Sequence, residues 1–297
     1  MARTRDIVIG LIIGFCFLIF VAITVVGFLG MYDHDEGILS FGDRVAVIDI
    51  FGTITSSSET VRQLKKYGDD NSVVAILLHV NSPGGGVAVT QEIYDEIIRV
   101  RMEDEKPVVV SMSSVAASGG YYLSCAADEI VANPGTLTGS IGVILEYAIM
   151  EKLMDKIGVR FETIKSGEVK DVGSPWRQPT EKDRKMLQAA IDDTYGQFVE
   201  TVMEGRNLTR EEVLAVADGS VFTGRQALEL GLVDKLGSFE DAIRITAELA
   251  GIEGEPKTVK ERPRRKMTIL DLLSGNLRKF YQESGLSLGP ELKYLYR

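Results

Sequence analysis

The chain predicts an α/β domain, with parallel strand pairs and crossover helices, behind an N-terminal transmembrane helix. Three observations lead there. Residues 7–30, IVIGLIIGFCFLIFVAITVVGFLG, are an uninterrupted uncharged run. Residues 44–147 alternate short β-rich runs with stretches of helical periodicity, and from residue 180 the chain turns mainly helical. With 45% hydrophobic and 26% charged residues, the chain can bury a sizeable core and is unlike a disordered or fibrous one. Its formal charge of −10 argues against nucleic acid as the main partner, because a phosphate backbone needs a basic footprint.

The 24 residues of the apolar run, at about 1.5 Å each, suffice to cross a hydrocarbon core of about 30 Å. A cleavable signal peptide has a shorter apolar region of about 7 to 15 residues and a small-x-small site, so an uncleaved anchor is expected. Arg3 and Arg5 precede the span, whereas Asp33, Asp35 and Glu36 follow it. That bias places residues 1–6 in the cytoplasm and the bulk of the chain outside the cell membrane. Residues 31–43 form a polar connector with two glycines.

RVAVIDIFGTI (44–54), VVAILLHV (73–80), PVVVSM (107–112), EIVAN (129–133) and IGVILEY (141–147) read as strands bounded by Gly, Pro, Asn or Asp. SETVRQLKKYG and VAVTQEIYDEIIRVRMEDE, between the first of these, space apolar residues by three and four, as helices do. Thr180 is an N-cap for a long helix whose stripe is Met186, Ala190, Ile191, Phe198, Val199 and Val202. TREE (209–212) and TGRQ (223–226) are capping boxes that open further helices. A strand-like link and a closing helix complete a domain over 44–253. Residues 254–297, locally basic and with prolines, read as a linker and a weakly ordered tail. Cys16 and Cys125 are poorly placed to pair, and Cys125 reads as a helical core residue.

VAASGGYY (115–122) sits where a β-rich run gives way to a helix. A serine there faces free backbone N–H groups, which suits a nucleophile, and Gly119 N–H is placed to donate to an oxyanion. The alternative is that Ser118 is only an N-cap among small packing residues. HVNSPGGGV (79–87) bears on that choice, because its three glycines offer amides without Cβ obstruction to an anion or an extended peptide. It matches neither the phosphate-binding loop nor the dinucleotide turn. Gly85 and Gly119 together supply the two donors of an oxyanion hole, each worth about 3 kcal/mol in the transition state.

A serine nucleophile also needs a base. Only two histidines exist: His34 lies in the connector and His79 inside an apolar strand, where it reads as a core residue. Attention passes to lysine, which acts as a base when its ammonium is desolvated, at a cost of about 4 kcal/mol for a shift from about 10.4 to about 7.5. Lys165 and Lys170, in FETIKSGEVKDVGSPWRQPT (161–180), are both candidates, and spacing alone does not choose between them.

NSPGGG, AASGGYY, TLTGSIGV and SGEVKDVGSP, in this order, followed by FTGRQALELGLVDKLGS, closely resemble the signal peptide peptidase A (SppA) family of membrane-bound serine proteases over residues 44–250. The resemblance implies a ClpP/crotonase-like fold and a Ser/Lys dyad with Ser118 as nucleophile and Lys170 as base. It also implies Gly85 as an oxyanion donor and Ser140 as the hydroxyl that orients the lysine. The chain looks like the short form of the family, for which the resemblance implies a homo-oligomeric ring, an octamer, with Ser and Lys supplied either within one subunit or by adjacent subunits. Remnant signal peptides and other apolar peptides are the implied substrates, and Tyr121, Tyr122 and Leu123 are near enough in sequence to contribute to their pocket. No cofactor and no metal is expected. The rival readings are a protease of the same fold acting on a membrane protein, an acyl-CoA enzyme, and an inert scaffold.

Overall fold

The computed structural model describes residues 43–261 and 292–295, with residue 17 alone ahead of them, so nearly all of the expected anchor and of the connector lies outside the described residues. Among the described residues no helix is long and apolar enough to cross a membrane. From Asp43 the chain forms one compact unit.

Its centre is a parallel sheet. β1 (Arg44–Phe51) leads through α1 (Ser58–Asp69) to β2 (Val73–Ser82), and the glycine strand β3 (Gly84–Gly86) leads into α2 (Val87–Met102) and β4 (Val108–Ala117). After α3 (Gly119–Ser124) come β5 (Glu129–Ala132), β6 (Leu137–Gly139), β7 (Ile144–Leu145) and α4 (Glu151–Ile157). The long helix α5 (Glu181–Arg206) and α6 (Arg210–Leu214) precede β8 (Val221–Thr223), α7 (Gly224–Glu229), β9 (Lys235–Leu236) and α8 (Phe239–Leu249). Two strands follow, β10 (Lys257–Lys260) and β11 (Leu292–Leu295). The main sheet runs β10-β1-β2-β4-β5-β9, all parallel, with β6 parallel to the end of β4 and β8 antiparallel to β6.

VVAILLHV reads as a continuous apolar run because both faces of β2 are covered, as in parallel sheets generally. Ile76, Leu78 and Val80 join Ile48, Val110 and Met112 in the large core, which also holds Phe198, Val199 and Val202 of α5. Leu77 joins Val45, Val47 and Val109 in a smaller core that includes Ala242 and Ala247 of α8. Thr180, Thr209, Thr223 and Ser238 each cap a helix reciprocally with the residue three positions on.

Several expectations are corrected. β4 runs five residues past Met112, because the β2–β4 register shifts beyond Val80 and pairing resumes at Ser82 and Ala116. Only Ile144 and Leu145 of the expected strand at 141–147 pair. Met186 is exposed, so the buried stripe of α5 is confined to its second half. The stretch expected as a tail from 254 contributes β10 to the main sheet and β11 to a second, three-stranded sheet. The extended pairing of KTVK with β1 outweighs the basic composition around it.

Candidate active site

β4 delivers Ser118 to the head of α3. Its φ of +53° and ψ of −117° lie in a region that L-residues seldom occupy, and this strain turns the chain abruptly from strand to helix. The surroundings hold it there: Ser118 N–H donates to Gly139 O at 2.8 Å, and Tyr122 N–H donates to Ser118 O at 2.8 Å. The side chain makes no capping hydrogen bond, so the N-cap reading does not account for the serine. Ser118 is buried, and its hydroxyl has no hydrogen-bond partner among the described residues.

Ser140 is brought alongside by the same β4–β6 pairing, one residue beyond the carbonyl that Ser118 N–H meets. Its φ is +50°, its N–H donates to Ser220 O at 2.7 Å, and it too is buried. Thr136 Oγ1 and Thr138 Oγ1 donate to carbonyls of β4, at Ser113 O (2.6 Å) and Ala116 O (2.7 Å), and fasten β6 to it.

The glycine loop closes over this point. Ser82 Oγ accepts from Gly84 N–H at 3.1 Å, and Asn81 Oδ1 accepts from Val115 N–H at 3.2 Å where the β2–β4 register shifts. Ile54, which the sequence does not single out, fixes β3: its N–H donates to Gly84 O at 2.8 Å and its carbonyl accepts from Gly86 N–H at 3.0 Å. Successive residues of a strand direct their backbone groups to opposite edges, so the N–H and C=O of Gly85 face away from Ile54. A Cβ at Gly119 would lie 3.1 Å from Gly85 N and 3.0 Å from Thr90 Oγ1. The serine, Gly119 and the Gly85 amide are thus one cluster.

Lys170 is exposed and makes no side-chain hydrogen bond or ion pair among the described residues, with Ser118 or any other group. Lys165, the other candidate, is committed: its ammonium lies 2.6 Å from Asp171 Oδ1 and 2.7 Å from Glu168 O. Arg177 bridges Asp171 to Asp183, which joins the loop that carries Lys170 to the first turn of α5. Arg177 holds both carboxyls well below the usual carboxylate pKa, with Lys165 helping at Asp171 and Thr180 at Asp183. With the pKa values depressed, the contribution of these pairs is present above the ordinary carboxylate value of about 3.9 and is lost only as pH falls well below it. Arg177 thus ties down the loop that carries Lys170. Arg177→Ala is expected to lower kcat about tenfold or more with little change in KM, because the loop loses its anchor, and Arg177→Lys should recover part of the loss. Steady-state kinetics on peptides checks both.

His79 does not serve Ser118. It lies on the α8 face of β2, with Nδ1 3.5 Å from Asp49 Oδ1 and its ring centroid 4.5 Å from that of Phe239. Burial pushes the imidazole below its usual pKa against the pull of Asp49, and nearby Lys260 adds to the depression. Tyr121, Tyr122 and Leu123 are core residues: Tyr121 Oη donates to Leu232 O at 2.9 Å, and Tyr122 packs edge-on against Tyr94 and Phe198. Every residue of their helix is buried, which local sequence does not reveal. Cys125 is buried, and burial pushes its thiol up to about 12. Iodoacetamide at neutral pH is therefore expected to leave the native thiol unmodified and to alkylate it on unfolding, which intact mass measurement detects.

The chain matches the Clp protease family over residues 42–135 and peptidase family S49 over residues 101–253. It is 41% identical to slr0021 of Synechocystis sp., provisionally named a protease, over 84% of this chain and 90% of that protein. It is 43% identical to an Enterococcus faecium protein provisionally named signal peptide peptidase SppA, over 61% of this chain. It is 31% identical to the chloroplastic serine protease SPPA of Arabidopsis thaliana, over 80% of this chain. The matches span 52% and 37% of the lengths of these last two relatives.

Proposed function

Since the chain belongs to peptidase family S49, the SppA family of serine proteases, we propose that it hydrolyses peptide bonds with a Ser118/Lys170 dyad assembled between neighbouring protomers. One observation carries this reading. A buried serine with a strained backbone and a hydroxyl uncommitted among the described residues adjoins the Gly85 amide, while Lys170 stands exposed, without a partner among the described residues, on a loop that is itself pinned.

The chemistry is acyl transfer. The neutral amine of Lys170 accepts the Ser118 proton as Oγ attacks the carbonyl carbon, and the N–H groups of Gly85 and Gly119 hold the tetrahedral oxyanion. The C–N bond breaks as Lys170 delivers that proton to the leaving amine, which leaves an acyl ester on Ser118. Water, deprotonated by Lys170, attacks the ester, and the proton returns to Ser118 Oγ as the acid is released. Ser140, beside Ser118, orients the incoming amine. Docking the lysine loop against a neighbour would also strip water from the ammonium, which is what a lysine base requires.

A homo-oligomeric ring, an octamer, is the assembly we assign. Support comes from the exposed apolar residues around the lysine loop, including Leu153, Ile157, Phe161 and Ile164. The span at 7–30 would anchor the enzyme with its catalytic domain on the outer side of the cell membrane. There tethering raises the effective concentration of membrane-released peptides, and remnant signal peptides are the substrates we assign. Isolated apolar peptides should then be cleaved faster than intact membrane proteins, a comparison made by gel and mass spectrometry.

The dyad is tested by mixing. Ser118→Ala and Lys170→Ala chains are each expected to be inactive, and dissociation and reassembly of the two together should restore part of the activity. Two inactive variants that stay inactive in mixed assemblies would remove the shared site.

A further inference from the structure

β3 is three glycines, and such a strand has no side chains with which to hold itself in place. Glycine also loses more backbone freedom on folding than any other residue, so hydrogen bonds must fix what packing cannot. All four main-chain groups of Gly84 and Gly86 are bonded. Gly84 N–H donates to Ser82 Oγ at 3.1 Å, and Gly84 O accepts from Ile54 N–H at 2.8 Å. Gly86 N–H donates to Ile54 O at 3.0 Å, and Gly86 O accepts from Thr90 Oγ1 at 2.8 Å. Two of these partners are main-chain groups of Ile54, and the other two are side-chain hydroxyls.

Both hydroxyls belong to fully buried residues. Ser82 ends β2 and Thr90 lies in the first turn of α2, so the glycines are gripped from the strand before them and the helix after them. Each grip has a geometric consequence. Gly84 takes a φ of +105°, which residues other than glycine rarely adopt, and the bond to Ser82 closes the turn that this φ makes. Because a trans peptide is planar, holding the Gly84 carbonyl toward Ile54 aims the Gly85 N–H of the same unit the opposite way. Thr90 fixes the far end of the strand, and its hydroxyl oxygen lies 3.0 Å from where a Cβ on Gly119 would stand. It fills the corner between the two amides assigned to the oxyanion.

We propose that Thr90 and Ser82 are positioning residues for the oxyanion hole, which hold Gly86 and Gly84 so that the Gly85 N–H is aimed before substrate arrives. The inference rests on the protease reading, in which Gly85 is an oxyanion donor. Such donors act only when held to within about 0.5 Å, and a misplacement of about 1 Å can cost about a hundredfold. In an ordinary strand, packed side chains supply that precision. Here the two hydroxyls supply it from outside the strand.

Thr90→Val keeps the shape of the side chain and removes the hydroxyl, whereas Thr90→Ser keeps the hydroxyl. Ser82→Ala removes the other grip. Thr90→Val and Ser82→Ala are each expected to lower kcat for an apolar peptide about tenfold with KM changed by less than about twofold, and Thr90→Ser should keep most of the activity. A purely structural role would add its cost to any other variant. Residues that act through Gly85 cannot, so in a Gly85→Ala background either substitution should cost less than about twofold more. A thermal melt identifies a variant that has not folded, and the variant of the other hydroxyl then carries the test.

Hydrogen exchange reads the grip without turnover. In peptic fragments that cover residues 81–90, both variants should take up deuterium faster than the unaltered chain, and Thr90→Ser should not. An unchanged kcat in both variants, or a loss that multiplies undiminished onto that of Gly85→Ala, overturns this inference while the protease reading stands. Failure of the unaltered chain to cleave any apolar peptide would defeat the protease reading instead, and faster exchange would then keep the grip without its chemistry.

Discussion

Lys170→Ala is expected to reduce kcat for peptide hydrolysis by about a thousandfold or more, because removal of a general base leaves the Ser118 hydroxyl fully protonated as a nucleophile. The fold should be indifferent. Lys170 is exposed and bonded to nothing among the described residues, and surface substitutions of that kind shift stability by no more than about 0.5 kcal/mol. Lys165→Ala is the control. It breaks the pair with Asp171 and loosens the loop, yet keeps the amine, so its loss should be far smaller. Comparable losses in the two variants, or full activity in Lys170→Ala, would identify some other group as the base. Kinetics and a thermal melt on the same samples separate chemistry from folding.

Gly85→Ala should also cost activity heavily, for a different reason. A Cβ there would lie 2.0 Å from Ile54 O and 2.6 Å from Ile54 C, both backbone atoms that cannot rotate away. Strand β3 must therefore shift, and the Gly85 amide shifts with it. Displacing one oxyanion donor costs about a hundredfold to a thousandfold in kcat. Gly119→Ala meets softer neighbours, at 3.0 Å from Thr90 Oγ1, 3.1 Å from Gly85 N and 3.2 Å from Gly84 Cα, so its loss should be smaller. The ordering of the two glycine variants in kcat checks the geometry of the hole. His79→Ala should leave kcat as it is, since Asp49, Phe239 and the α8 face claim that side chain.

How much of this was legible in the sequence follows from how local each signal is. VVAILLHV and PVVVSM announce parallel strands because burial on both faces leaves an unbroken apolar run. The capping boxes at Thr209 and Thr223 act within four residues, and they stand where the sequence puts them. Ser118 was readable as a junction between a β-rich run and a helix. The bulge that carries β4 to Ala117 was not, because it depends on register against β2. Ile54 and Arg177 gave no sequence signal either. One acts through main-chain bonds to a loop thirty positions away, and the other through two carboxylates that sit together only after folding. Residues 292–295, Leu-Lys-Tyr-Leu, carry too short an alternation to announce a strand, and both of their partner edges lie far back in the chain. The lysine loop was legible as chemistry and illegible as geometry, since the Lys170 ammonium reaches no partner among the described residues.

The most direct measurement is the site of acylation. The assembled protein is treated with a serine-directed acylating probe, digested, and mapped by mass spectrometry. A single adduct on Ser118, formed at a rate that collapses in Lys170→Ala, is the expected result. An adduct on a different residue, or an equal rate of Ser118 modification with and without the lysine, would contradict the account.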